Sequence, residues 1–326
     1  MKKALITGIN GQDGSYLAEL LLEKGYEVHG ILKRNSIAEH QTARLDNVYS
    51  RIKDNLYYAD MTDMASLVKV LQTVMPDEIY NLAAQSHVRV SFDQPLYTAQ
   101  VVAIGVMNLL EAIRLICPQA RMYQASSSEM FGNSIDEDGF QRETTPMNPT
   151  SPYGCSKVFA YNLVRNYRNS YGLFLSNGIL FNHESPRRGT NFVTNKVVKG
   201  ACHIKAGLSD KLLLGNLNAA RDWGHAKDYV YCMWLILQHD EPDDFVCSTG
   251  VSHTIMDLVR YVFGKLDLDW EDYIGQHEKY YRPEELDALK GDCSKVKKIL
   301  GWKHKYTFET MLDEMIDHWK ELLEIE

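Results

Sequence analysis

Tyr153 and Lys157 stand four residues apart in the run Tyr153-Gly154-Cys155-Ser156-Lys157. On a helix that spacing puts them on one face. The lysine's charge then lowers the pKa of the phenol. Such a phenol serves as a base toward a hydroxyl while hydride leaves the carbon that bears it. The hydride needs an acceptor, and the N-terminus offers a place for one. Gly8-Ile9-Asn10-Gly11-Gln12-Asp13-Gly14 is a G-x-x-G-x-x-G run between an apolar stretch and a helical pattern. Glycines at that spacing let the backbone turn tightly and approach a pyrophosphate, whose charge sits at the helix N-terminus. Three glycines also make a plain turn, but the strand–turn–helix setting argues for phosphate. Gly8, Asn10, Gly11, Gln12, Asp13 and Gly14 are therefore candidate dinucleotide contacts, and Lys157 a candidate for the nicotinamide ribose.

Lys33-Arg34 comes just past the second β-type run. An NAD-type site would offer Asp or Glu there to accept from the ribose 2′-hydroxyl. Two cations suit a 2′-phosphate and favour NADP; the alternative is a solvated basic pair at a strand end. Ser127 follows the fifth β-type run, where its hydroxyl would bond a developing oxyanion.

These groups need a scaffold. Ala4–Thr7, Glu27–Leu32, Leu56–Ala59, Glu78–Leu82 and Met122–Ala125 read as strands, with helical patterns over Leu17–Leu22, Leu67–Val74 and Val101–Ile116 between them. The alternation predicts an α/β fold, a Rossmann-type doubly wound parallel sheet with helices on both faces. Ligands of such sheets sit outside the carboxyl ends of the strands. The later part is less regular: a strand at Phe174–Leu180, then helical patterns at Tyr229–Leu237, Leu258–Phe263 and Met311–Leu323. The expected division is a cofactor-binding domain over 1–180, to which part of 218–250 returns. A smaller, mainly C-terminal substrate-binding domain is expected over 181–326.

Composition narrows the partners. Hydrophobic residues make up 45% and charged residues 24% of the 326, ordinary values for a globular chain. Net charge −8 leaves no broad basic footprint for nucleic acid, so a phosphate ligand needs locally placed cations. No apolar run is read as approaching the ~18–20 residues that cross a bilayer. Met1-Lys2-Lys3 is followed by the polar Asn10, Gln12 and Asp13, unlike a secretory signal. Six scattered cysteines without C-x-x-C suggest reduced thiols in a cytoplasmic protein and no metal site.

Longer runs carry a resemblance. They include Asn81 to Ser86, Gln124 to Gly132, Ser151 to Lys157, Leu180 to Gly189 (with Asn-His-Glu-Ser-Pro-Arg), Arg221-Asp222-Trp223-Gly224 and Tyr281 to Glu285. With the glycine motif and the Tyr/Lys pair, they resemble the extended short-chain dehydrogenase/reductases and, within them, the GDP-mannose 4,6-dehydratase family. The resemblance implies conversion of GDP-mannose to GDP-4-dehydro-6-deoxymannose with bound NADP. Ser127, Glu129, Tyr153 and Lys157 would be catalytic, with Ser127 standing where the family usually carries Thr. A 4-epimerase needs only the Tyr, Ser and Lys. A dehydratase also needs a base for the carbon-5 proton, which Glu129 would supply; otherwise Glu129 is a helix-start carboxylate.

Further cofactor contacts implied are Asp60-Met61 at the adenine, Leu82, Ala83, Ala84, Gln85 and Ser86, and Tyr97, His183 and Arg188. Ser86, Asn182, Lys196, Arg221, Arg282 and Glu285 would hold the GDP-sugar; for any one of them an ordinary ion pair or loop contact is the alternative. Asn35 to His40 departs from the family's Ser-rich loop. A homodimer or homotetramer is implied, and Val101–Ile116 either pairs with its symmetry mate or only covers the sheet. Alternatives within reach of the same residues are a GDP-manno-heptose 4,6-dehydratase, a nucleotide-sugar 4-epimerase and a non-catalytic NADP-binding regulator.

Overall fold

The computed structural model describes residues 1–35, 41–281, 284, 286 and 288–325. The departure at Asn35 to His40, apart from Asn35 itself, and the candidates Arg282 and Glu285 lie outside the described residues. In the first part β1 (Lys3–Thr7), α1 (Gln12–Glu23), β2 (Glu27–Leu32), α2 (Tyr49–Ile52), β3 (Leu56–Tyr58), α3 (Met64–Val74) and β4 (Glu78–Asn81) follow one another. Then come α4 (Val88–Asp93), α5 (Pro95–Ala99), α6 (Gly105–Ile116), β5 (Arg121–Ser127), α7 (Pro152–Tyr171) and β6 (Leu175–Leu180). The second part holds β7 (Asn182–Glu184), α8 (Val193–Lys205), β8 (Leu212–Leu214), β9 (Ala220–His225), α9 (Ala226–Gln238), β10 (Asp244–Cys247) and β11 (Ser252–Thr254). It ends with α10 (Ile255–Lys265), α11 (Trp270–Tyr273), β12 (Ile274–Gln276), α12 (Ser294–Leu300) and α13 (Phe308–Leu323).

The main sheet has the order β10-β6-β5-β4-β1-β2-β3, every pair parallel. Its central strands β1 and β4 are buried on both sides, which is why β1 reads as a continuous apolar run, Ala4-Leu5-Ile6, rather than an alternating one. Helices α1 and α9 pack one face and α3, α6 and α7 the other. The chain reverses direction across the sheet between β1 and β4, the crevice where such folds bind ligands. β10 returns to this sheet from the second part. The remaining elements build a smaller layer, with β7 and β9 parallel, β9 and β11 antiparallel, and a core from α8, α10 and α13.

Two expectations are corrected. The run Pro95–Ile116 is long and apolar enough to cross a bilayer by length and composition, with mean hydropathy 1.6. It is continuous because a π turn, Gln100–Ile104, joins α5 to α6, and half of its apolar window is buried within the protein. Nor are the thiols all apart: the sulfurs of Cys232 on α9 and Cys247 on β10 abut. Their Cα atoms are 7.1 Å apart, beyond the roughly 4.4–6.8 Å of a relaxed disulfide. The backbone thus spaces two packed sulfurs. Cys117, Cys202 and Cys293 are buried and free, and Cys155 is exposed.

Candidate active site

A cavity of about 880 Å³ opens at the carboxyl ends of β1, β4, β5 and β6, roofed by the loops of the second part. The glycine run forms one wall. A Cβ on Gly14 would fall 2.4 Å from the Gly8 carbonyl oxygen, so α1 can start this close to β1 only with glycine there. No side chain caps the first turn of α1. A tight glycine cradle leading into an uncapped helix N-terminus fits a dinucleotide pyrophosphate. Gly8, Asn10, Gly11, Gln12, Asp13 and Gly14 all line it. Asn10 Nδ2 also donates to the Gln41 carbonyl, 3.1 Å away, and so ties this wall to the segment after β2.

Lys33 reaches the cavity, and Arg34 does not. Consecutive residues of an extended segment point to opposite sides. Arg34 turns outward, its guanidinium 5.9 Å from the Tyr58 ring centroid. Lys33 Nζ donates to the Tyr97 hydroxyl at 2.6 Å and lies 3.3 Å from Asp60 Oδ2. Burial disfavours its charge, but Tyr97 and Asp60 outweigh that and raise its pKa. Three candidates far apart in sequence thus meet at one end of the cavity. Met61, Leu82, Ala83, Ala84 and Ser86 line it as well. Gln85 does not: its side chain accepts from His87 N at 2.7 Å and donates to Thr98 Oγ1 at 3.1 Å, pinning the loop from behind.

Ser127, Glu129, Tyr153 and Lys157 converge from β5 and α7. Ser151 caps α7, accepting from Gly154 N at 3.0 Å. A Cβ on Gly154 would lie 2.8 Å from the Glu129 carbonyl oxygen, so glycine lets this turn press against the end of β5. Ser127 Oγ accepts from Glu129 N at 3.2 Å. Burial pushes the Tyr153 phenol well above its ordinary range; a hydrogen bond with Ser127 works the other way, and nearby Glu129 adds to the rise. Lys157 Nζ donates to the Ala125 carbonyl at 2.6 Å and stands 5.6 Å from the Tyr153 ring centroid. Burial lowers its pKa to about 8.

The opposite wall comes from the second part. His183 Nε2 lies 2.8 Å from Asp13 Oδ2. Arg188 pairs with Glu184 at 3.0 Å and lies over Phe192. Asn182, Lys196 and Arg221 line the far end. Lys196 Nζ donates to the Leu213 carbonyl at 2.6 Å and sits 3.3 Å from the Tyr280 ring centroid. Burial, then the neighbouring Lys279, lowers its pKa to about 8. Arg221 is buried and donates to the Leu286 carbonyl at 3.0 Å. Beside it Asp222 is pushed up to about 6 by burial, while Thr249 and Gly250 donate to its carboxylate. Among the described residues no cluster of His, Cys, Asp and Glu is arranged to hold a metal ion.

Residues 5–315 match the family model for GDP-mannose 4,6 dehydratase. The chain belongs to the GDP-mannose 4,6-dehydratase family. It is 51% identical to GDP-mannose 4,6 dehydratase 2 of Arabidopsis thaliana over 98% of this chain and 87% of that one. Identity to the GDP-mannose 4,6 dehydratase of Homo sapiens is 49%, over 96% of this chain and 90% of that one. The fold is shared with DesIV, a dTDP-glucose 4,6-dehydratase from Streptomyces venezuelae solved with NAD and TYD, at TM-score 0.85 and 24% identity. That likeness covers 98% of this chain and 97% of that one.

For this family member, the sequence reading missed several cavity residues. Ser128, His87, Thr190, Phe192, Asn216 and Tyr280 line the same space. Tyr280 precedes the Tyr281–Glu285 run, and Thr190 and Phe192 follow the Leu180–Gly189 run; extending each run by a few residues would have included them. Asn216 carries no such signal, because a loop asparagine is ordinary.

Proposed function

We propose that this chain dehydrates GDP-mannose to GDP-4-dehydro-6-deoxymannose as a nucleotide-sugar hydro-lyase with resident NADP. The observation that carries the reading is the convergence of Ser127, Glu129, Tyr153 and Lys157 on the cavity that the glycine cradle opens into. NADP, when bound, supplies a reversible hydride acceptor. Tyr153 takes the proton of the carbon-4 hydroxyl, and Ser127 donates to the same oxygen. Lys157 holds the nicotinamide ribose. Glu129 removes the carbon-5 proton, made acidic by the new ketone, and passes it to the carbon-6 hydroxyl as water leaves. The hydride from carbon 4 then returns to carbon 6, and the proton held by Tyr153 goes to carbon 5, so there is no net oxidation. A 4-epimerase would have no task for a second, carboxylate base. Asn182, Lys196 and Arg221 hold the GDP-sugar, and their cations give a locally positive end to a chain of net charge −8. The cofactor-binding domain comprises residues 1–180 with α9 and β10, and most of 181–326 forms the substrate side; the protein works in the cytoplasm. The test is incubation with GDP-mannose, and separately with GDP-manno-heptose, followed by mass analysis for loss of one water. GDP-mannose returned intact by NADP-loaded protein overturns the reading; dehydration of the heptose alone reassigns the substrate.

Two further outcomes follow. Lys33 selects NADP by binding the 2′-phosphate. A charge-assisted contact contributes about 1.5–3 kcal/mol, so Lys33→Met is expected to weaken NADP about ten- to a hundredfold more than NAD. Arg34→Met changes the ratio little. Equal affinity of the unmodified protein for both cofactors counts against the assignment. The chain also forms a homo-oligomer through Pro95–Ile116 and α7, whose outer surfaces leave Leu96, Leu115, Phe159 and Tyr171 exposed. Sedimentation at micromolar concentration is expected to give a dimer or larger; a monomer sinks the proposal.

A further inference from the structure

Asp13 is a carboxylate in an unlikely place. It sits between Gly11 and Gly14, in the first turn of α1, on the wall where an anionic pyrophosphate would rest. The helix dipole favours one negative charge there, and a second would repel the ligand. The same carboxylate lies 2.8 Å from His183 Nε2, and His183 Nδ1 lies 2.7 Å from the Phe181 carbonyl oxygen. Both of those oxygens only accept. A neutral imidazole has one donor and one acceptor nitrogen, so either tautomer would set a ring lone pair against an oxygen lone pair. Only the imidazolium donates to both.

We infer that His183 is a resident cation that cancels the Asp13 charge. The two side chains form a neutral clasp that lets the glycine loop accept a dinucleotide pyrophosphate and ties that loop to β7. His183 is in this sense a positioning residue, and its proton governs how long the cofactor stays. Other contacts brace the clasp. Gln12 Nε2 donates to Asp13 Oδ1 at 3.0 Å and to the His183 carbonyl at 3.1 Å, and Ser185 donates to Gln12 Oε1 at 2.8 Å. The imidazole stacks on Tyr229 of α9 at 4.6 Å between centroids.

The surrounding charges set the sign. Burial works against the imidazolium, the Asp13 carboxylate then raises its pKa, and Arg188 lowers it; the balance is a rise. Burial likewise works against the Asp13 carboxylate, but His183 and Gln12 bring it below its ordinary range, with help from Arg188. Asp13 in turn acts on Tyr153 and Lys157 of α7 and on Tyr123 of β5. With its folded value raised, His183 contributes fully below its unfolded value of ~6.5, and the contribution is lost as pH rises through the folded value. Asp13, with its value lowered, loses its contribution only in acid.

The inference rests on the glycine loop taking NADP, and the test separates the two. The imidazole nitrogens of the full-length protein are titrated by NMR after histidine labelling, with His183→Gln giving the assignment. NADP release is timed from the native protein, from His183→Gln, which leaves the Asp13 charge uncancelled, and from the double variant that adds Asp13→Asn and so removes both charges. The native ring is expected to titrate above the ordinary histidine value, and lower in Asp13→Asn, which lacks the carboxylate that raises it. Release from His183→Gln is expected to be about tenfold faster than native, and release from the double variant is expected to return to near the native rate, because no carboxylate charge then remains to be cancelled. A native ring that titrates at or below the ordinary histidine value, or a double variant that releases NADP as fast as His183→Gln alone, overturns the clasp. If Asp13→Asn does not fold, the native titration decides alone. A protein that binds no dinucleotide refutes the cofactor reading, whereas one that holds NADP beside a neutral His183 refutes only the clasp.

Discussion

Replacing Tyr153 with phenylalanine is expected to cut turnover by about 10²–10⁴-fold and to stop the reaction before hydride leaves carbon 4. The substitution keeps the ring, which packs in the same core as α3 and α6, and removes only the hydroxyl. The melting temperature is therefore expected to change little, which separates a chemical defect from a folding one. The lost hydroxyl is the one hydrogen-bonded with Ser127 at the end of β5. Buried as it is, the phenol is a poor base by itself, and Lys157 is charged only below about 8. Assistance from that charge fades as pH rises through this value, so the native rate of hydride transfer should level or fall in that range. Mixing GDP-mannose with the NADP-loaded variant should give no absorbance of reduced nicotinamide in a single turnover. Formation of that signal at a native rate would assign the carbon-4 base elsewhere.

The parallel sheet was legible because its strands are buried on both faces. Ala4, Leu5 and Ile6 have no exposed surface, and no polar residue interrupts them. The 20-residue helix α7 was harder to read. Its buried face carries Tyr153, Ser156, Lys157, Tyr161 and Tyr167 beside Ala160 and Val164. An apolar period of 3.6 fails where the buried side is built from tyrosine, serine and lysine. That helix faces the cavity at one end, so what blurs its pattern there is the chemistry it presents. β10 was missed for another reason: it is four residues long and begins with Asp244. That aspartate is buried because Arg168 of α7 and Asn177 of β6 pair with it, contacts across 76 and 67 residues that no local window sees.

The site shows the same division. The glycine run and the Tyr/Lys pair are local, and both line the cavity. Lys33 and Arg34 are equivalent in a string of letters; alternation of side chains puts only the first in the cavity. The pairing of Asp13 with His183 crosses 170 residues and joins the two walls. Each residue is a candidate contact in the sequence, but only the fold brings the two side chains within 2.8 Å of each other.

Replacing Glu129 with glutamine is expected to break the reaction at a later step than Tyr153→Phe does. Glu129 is buried, lines the cavity, and follows Ser127 by two residues at the end of β5. Its backbone is fixed twice, by the bond from its amide to Ser127 Oγ and by the first turn of α7 packed against its carbonyl. The carboxylate is thus held on the same wall as Tyr153. Glutamine keeps the length and the hydrogen-bonding shape but cannot take a proton. The variant should oxidise carbon 4, so reduced nicotinamide appears on mixing with GDP-mannose and persists because nothing downstream consumes it. Overall dehydration should fall by about 10²–10⁴-fold, the usual cost of losing a general base. Exchange of the carbon-5 hydrogen with deuterated water should fall with it, since the same group removes that proton. A defect in sugar binding would instead suppress the nicotinamide signal as well. Near-native exchange and water loss in Glu129→Gln would move the carbon-5 base to another residue and leave the dehydratase reading without its distinguishing carboxylate.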